Sequence, residues 1–191
     1  TPSRREEGMK PRRPAAAGGP LLIALQAWQA GRLDVALKAA LQVVQQQPTH
    51  HDALVLAGRI CLQQQRLQEA ISLLGRAQAL KPADQSTACL LAQCWQVAGR
   101  PLVAAQVLDA LCDTAGMPCD AWLAAAQAWL TAERTGLALQ RLTQALSAFP
   151  DEPEVLWWLA LACRADGQYQ QAIATLGRLL ALQPARVDAR I

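Results

Sequence analysis

A chain of 191 residues that is 52% hydrophobic and 17% charged is long and apolar enough for one buried core, whereas 4% aromatic content and the absence of Asn argue against an all-β domain. The formal charge of +3 lies in residues 1–16, where Arg4, Arg5, Lys10, Arg12 and Arg13 outnumber Glu6 and Glu7, so the remainder is neutral and lacks the basic surface of a nucleic-acid or anionic-membrane binder. No run nears the roughly 18 apolar residues of a membrane-spanning helix, Leu21–Leu25 is too short for the core of a secretory leader, and six cysteines without a C-x-x-C pair read as reduced thiols of a cytoplasmic protein, with the periplasm as the alternative.

In chain order, residues 1–16 read as a disordered basic tail, with Met9 a candidate initiator. From residue 17 the sequence repeats with a step of 34, giving units 17–50, 51–84, 85–118, 119–152 and 153–186. Each unit holds two apolar stripes of helical spacing separated by a short polar turn, which predicts a helical hairpin. The first unit opens on Ala17-Gly18-Gly19-Pro20, turns at Gly31 and closes at Pro48. In the second, Leu54, Ala57, Gly58 and Cys61 form one stripe and Leu67, Ala70, Leu74 and Ala77 the other, with the turn near Gln65 and Arg66 and a stop at Pro82. The third turns at Gly99, carries Pro101 just inside its second helix and has Gly116 where the other units have proline. The fourth ends at Pro150; the fifth turns at Gly167 and ends at Pro184. Asp52, Asp120 and Glu154 sit where acidic groups favour a helix start. Val187–Ile191 begins a further first helix, an expectation that the protein continues into more repeats or another domain.

Two ladders of short side chains run through all five units: Ala36, Ala70, Ala104, Ala138, Ala172, and Ala24, Gly58, Ala92, Ala126, Ala160. Antiparallel helices approach closely only where the crossing residues are small, so these positions are expected at helix crossings. The arrangement resembles the tetratricopeptide repeats, a family with a large, a small and an aromatic residue along the first helix, a small residue in the second and a closing proline. The fourth unit supplies Trp122, Ala126, Trp129, Ala138, Ala145 and Pro150; the fifth supplies Leu156, Ala160, Cys163, Tyr169, Ala172 and Pro184. The resemblance implies an all-α fold, an α-solenoid in which five antiparallel helical hairpins form a right-handed superhelix.

Little in the chain points to catalysis or to a cofactor. His50 and His51 have no Cys or His at metal-ligand spacing, and Cys89, Cys94, Cys112 and Cys119 match no zinc motif. Cys61 and Cys163 read as core residues. None of Ser3, Ser72, Ser86 and Ser147 lies in a nucleophile elbow. Gln45–Gln47 and Gln63–Gln65 read as solvated helix ends, the Pro11–Pro14 stretch as plain tail, and Trp95, Trp122 and Trp129 as core.

By the resemblance, the outward face of the first helices lines a concave groove. Carried onto this chain, that face gives three rows: Leu21, Val55, Cys89, Leu123 and Trp157; Leu25, Arg59, Gln93, Gln127 and Leu161; Trp28, Leu62, Gln96, Leu130 and Arg164. Apolar flanks and a polar strip of Gln93, Gln96 and Gln127 suit a peptide or partner protein. The Lys, Arg and Asn clamp with which some relatives grip chaperone tails is missing, though Arg59 and Arg164 remain single anchors for a carboxylate. The resemblance thus implies a non-enzymatic scaffold. Two other readings stand beside it: the recognition arm of a larger bacterial enzyme of sulfotransferase, glycosyltransferase or aspartyl-hydroxylase type, and a periplasmic assembly factor for an exported polysaccharide or pilus.

Overall fold

A computed structural model describes residues 18–112, 116 and 118–185; the expected basic tail and the further helix at 187–191 lie outside them. Ten helices occur among the described residues, with no strand. They are α1 Gly18–Gln29, α2 Leu33–Gln46, α3 His51–Gln63, α4 Leu67–Leu80, α5 Gln85–Val97, α6 Pro101–Cys112, α7 Cys119–Thr131, α8 Thr135–Ala148, α9 Pro153–Ala165 and α10 Tyr169–Leu182. Each odd-numbered helix packs on the even-numbered helix that follows it and, from α3 on, on the one that precedes it. The result is an α-solenoid.

The turn inside each hairpin has one geometry. Residues 31, 65, 99, 133 and 167 all take the left-handed conformation: Gly31 at φ 72°, Gln65 at 63°, Gly99 at 72°, Glu133 at 57° and Gly167 at 79°. The next residue sends its N–H back five positions, from Arg32 to Ala27, Arg66 to Cys61, Arg100 to Trp95, Arg134 to Trp129 and Gln168 to Cys163, at 2.8–2.9 Å. These bonds satisfy carbonyls that the ended helix would leave orphaned. Glycine marks three of these turns; in the other two, Gln65 and Glu133 accept the strained conformation.

The prolines end the second helices through the residue before them. Gln47, Lys81, Phe149 and Gln183 have φ of −131° to −134° and positive ψ, as steric conflict with the following ring requires. The third unit differs: Gly116 stands at the rung that proline occupies in the other units and takes φ 79°. Two first helices also carry side-chain caps, with His50 Nδ1 accepting from the Ala53 N–H at 3.3 Å and Asp84 Oδ2 from the Thr87 N–H at 3.2 Å.

The two ladders of small residues lie in the interior of the stack. Every member is buried, and the side chains of Ala36, Ala70, Ala104 and Ala138 are fully so. At Gly58 an added Cβ would lie 2.6 Å from Leu74 Cγ, a contact that the buried leucine would have to vacate.

Polar bonds join successive units at the surface. Arg76 and Arg178, equivalent in the repeat, donate to the carbonyls of Pro48 and Pro150 at 3.0 and 3.2 Å. Gln64 donates to Asp34 and Thr135 to Asp166, both at 2.9 Å. The strongest link crosses from the third unit to the fourth. Asp109 of α6 receives Arg141 of α8 through Nε and Nη2 at 2.6 and 2.7 Å, and the Trp129 indole N–H of α7 at 2.8 Å. Burial pushes the Asp109 carboxyl up; the donors from Arg141 and Trp129 more than offset it and hold the group below the ordinary aspartate value.

Among the described residues, no helix is long and apolar enough to cross a membrane.

Candidate peptide-binding groove

Because second helices shield one side of the stack, the first helices gather on the other, where α1 touches α3, α3 touches α5 and α7 touches α9. Three hollows follow one another along α1, α3, α5 and α7. The first, of about 350 Å³, lies between α1, α3 and the start of α5; Leu25, Trp28, Val55 and Leu56 are its apolar lining, and Arg59, Asp52, Lys81 and Asp84 its charged groups. The second, of about 420 Å³, lies between α3 and α5. It has Arg59, Gln63, Gln65 and Gln93 as polar groups and aliphatic walls of Leu62, Leu67, Leu90 and Val97. The third, of about 260 Å³, opens between α5 and α7, where Gln93, Gln96, Gln127 and Thr131 stand over a floor of small side chains that includes Ala92, Ala124 and Ala128. Arg59 is shared by the first two and Gln93 by the last two, so the hollows form one line.

Arg59 is held in place. Its guanidinium carbon stands 5.4 Å from the centroid of the Trp28 ring, and the Trp28 indole N–H donates to Gln63 Oε1 at 2.9 Å. The ring is therefore fixed across two units, and the cation lies on its electron-rich face. Arg59 makes no ion pair among the described residues.

Nine of the fifteen residues carried onto the groove line these hollows: Leu25, Trp28, Val55, Arg59, Leu62, Cys89, Gln93, Gln96 and Gln127. The other six do not. Leu123, expected to face outward, is 9% exposed and packs with Ala126, Val155 and Leu159, because α9 closes over it. Trp157 lies half-buried against the Leu156 and Leu179 cluster, and Leu21 and Leu130 are likewise half-buried against core clusters. Leu161 is half-buried and Arg164 exposed, at the α9 end of the face. Conversely, Gln63–Gln65 are no mere solvated end: Gln63 braces Trp28, Gln64 bonds Asp34 and Gln65 makes the turn. Trp95 and Trp122, expected in the core, are half-buried at its edge. Leu90, Val97 and Gln63 also line the second hollow, beside the three expected rows rather than on them.

The reactive groups are occupied structurally. His51 Nε2 lies 3.3 Å from Thr87 Oγ1 and its Nδ1 3.1 Å from Asp52, an order that resembles a hydroxyl–imidazole–carboxylate relay. Thr87 is fully buried and donates its hydroxyl proton to Asp84, so the hydroxyl is closed to substrate. The His51 contact draws Asp52 below the ordinary aspartate value. Burial pushes the thiols of Cys61, Cys89, Cys94, Cys119 and Cys163 up, away from the reactive thiolate. Among the described residues no three His, Cys, Asp or Glu side chains gather as a metal site would require.

Comparison with known proteins follows the same lines. Two family models, both described as tetratricopeptide repeat, match residues 21–85 and 130–191. No curated protein matches the chain in sequence. Among solved structures, the crystal structure of MamA protein is similar over 92% of this chain and 96% of its own, at 15% identity and a TM-score of 0.72. MamA 41-end from Desulfovibrio magneticus RS-1 is similar over 90% and 97%, at 15% identity and 0.68. YrrB, described as a TPR protein with an unusual peptide-binding site, is similar over 89% and 88%, at 14% identity and 0.68. At these identities the likeness is one of fold.

Proposed function

Because the chain belongs to the tetratricopeptide repeat family, we propose that it is a non-catalytic scaffold that holds a peptide segment of a partner protein along its first helices. The observation that carries this reading is the unbroken line of three hollows joined by Arg59 and Gln93. A rigid helical stack keeps such a line open without ligand, so a segment that enters loses its own freedom while the protein loses little. Aliphatic walls anchor side chains. The amides of Gln93, Gln96 and Gln127 can donate to and accept from a peptide backbone, the pairing that an extended segment leaves unmet. The likeness in fold to YrrB, itself described as having a peptide-binding site, supports the same reading.

The test begins with random linear peptides displayed on phage and selected on the full chain. Fluorescence anisotropy with a selected peptide should then show binding weakened at least about tenfold by Gln93→Ala, through lost hydrogen bonds at the centre of the line. The thermal melt should stay unchanged, since Gln93 is exposed. Equal affinity for the parent chain and the variant would move the binding site elsewhere.

A further inference from the structure

Arg59 is the cation shared by two of the hollows; the other, Lys81, lines the first alone. Arg59 stands where the first two hollows meet, rests on Trp28, and is not neutralised by any carboxylate among the described residues. The acidic residues of the first hollow are engaged otherwise: Asp84 with His51 and Thr87, and Asp52 with His51. The second hollow has no acidic residue at all. Its polar groups are one guanidinium and three glutamine amides, and its remaining wall is aliphatic.

A half-buried cation on an aromatic ring, beside amide donors and aliphatic walls, complements a carboxylate carried next to an apolar side chain. Two sources of that carboxylate differ in geometry. A chain terminus would need the line to end at Arg59, whereas open hollows lie on both sides of it and a third continues past Gln93. Resting on the groove reading above, we propose that Arg59 selects an internal Asp or Glu of an extended segment, with an aliphatic neighbour of that residue seated among Leu62, Leu90 and Val97. Gln93 donates to the second carboxylate oxygen or to the adjacent backbone, which sets the register of the segment. Arg59 is then a specificity residue: it adds a charge requirement at the centre of a line whose second and third hollows otherwise offer aliphatic walls and neutral amides.

The experiment selects random linear peptides displayed on phage, in parallel, on the full chain and on its Arg59→Gln variant, with matched thermal melts confirming that both are folded. Peptides taken by the parent should be enriched in Asp or Glu beside an aliphatic residue, and that enrichment should vanish on the variant. For a selected peptide with its C-terminus amidated, Glu→Gln should weaken binding about tenfold to the parent and leave the variant indifferent, the size expected of a charge-assisted hydrogen bond. The parent's preference should shrink as salt rises. Parent-selected peptides that bind, are weakened by Gln93→Ala and show no acidic enrichment would overturn this proposal and leave the groove reading standing. Loss of binding on amidating the C-terminus, with internal acids indifferent, would overturn it in favour of a terminal carboxylate. Failure to select any peptide would overturn both.

Discussion

Position 133 shows what a single residue contributes to such a fold. Each hairpin needs one residue in the left-handed region, a requirement that Gly31, Gly99 and Gly167 announce in the sequence and that Gln65 and Glu133 conceal. An L side chain there costs about 1–2 kcal/mol, and glycine is relieved of most of it at the expense of greater freedom when unfolded. Glu133 is exposed, so replacing it removes no packing. We expect Glu133→Gly to raise stability by about 0.5–1 kcal/mol, read from the urea midpoint. A midpoint that stayed or fell would mean that the Glu133 side chain makes up the backbone cost in some other way.

At the scale of elements, the joint between the third and fourth units departs from the repeat. A proline is lost, and a half-buried cluster of Asp109, Arg141 and Trp129 ties α6, α7 and α8 together. The repeat could not announce it: the positions equivalent to Asp109 are Leu41, Gly75, Thr143 and Gly177, and the partners are distant in sequence. Since the folded Asp109 carboxyl titrates below its ordinary 3.8, the stability it contributes is complete above that value and is lost as pH falls through the lower, folded one. Asp109→Asn should therefore melt below the parent at neutral pH, with a gap that narrows as the buffer is taken from pH 6 towards pH 3. Removing one partner of such a pair costs about 2–3 kcal/mol, so Arg141→Met should show a comparable loss at neutral pH. A gap independent of pH would assign the effect to packing alone.

For the molecule as a whole, stability should be graded along the axis, because each unit is held by its neighbours. In α10 the buried residues are Ala172, Thr175 and Leu179, while Tyr169 and Ile173 are each 64% exposed; α3 buries seven residues between neighbours on both sides. Hydrogen exchange followed by mass spectrometry should find the α10 amides exchanging at least about tenfold faster than those of α3. Equal protection would show a single cooperative unit or a cover over α10.

The helical hairpins, the burial of the Ala and Gly ladders and the closing prolines were readable from one line of sequence, because short-range sterics and the 34-residue period recur from unit to unit. Which residues line the hollows was readable only in outline. Leu25, Trp28, Val55, Arg59, Leu62, Cys89, Gln93, Gln96 and Gln127 line them, whereas Leu123 and Trp157, at the same register as Val55 and Cys89, are turned to packing. Register says which way a side chain points from its own helix, but its exposure depends on how far the neighbouring helix stands away. That separation is set by contacts between distant residues, such as the Asp109 triad and the bracing of Trp28 by Gln63, which leave no periodic trace in the chain.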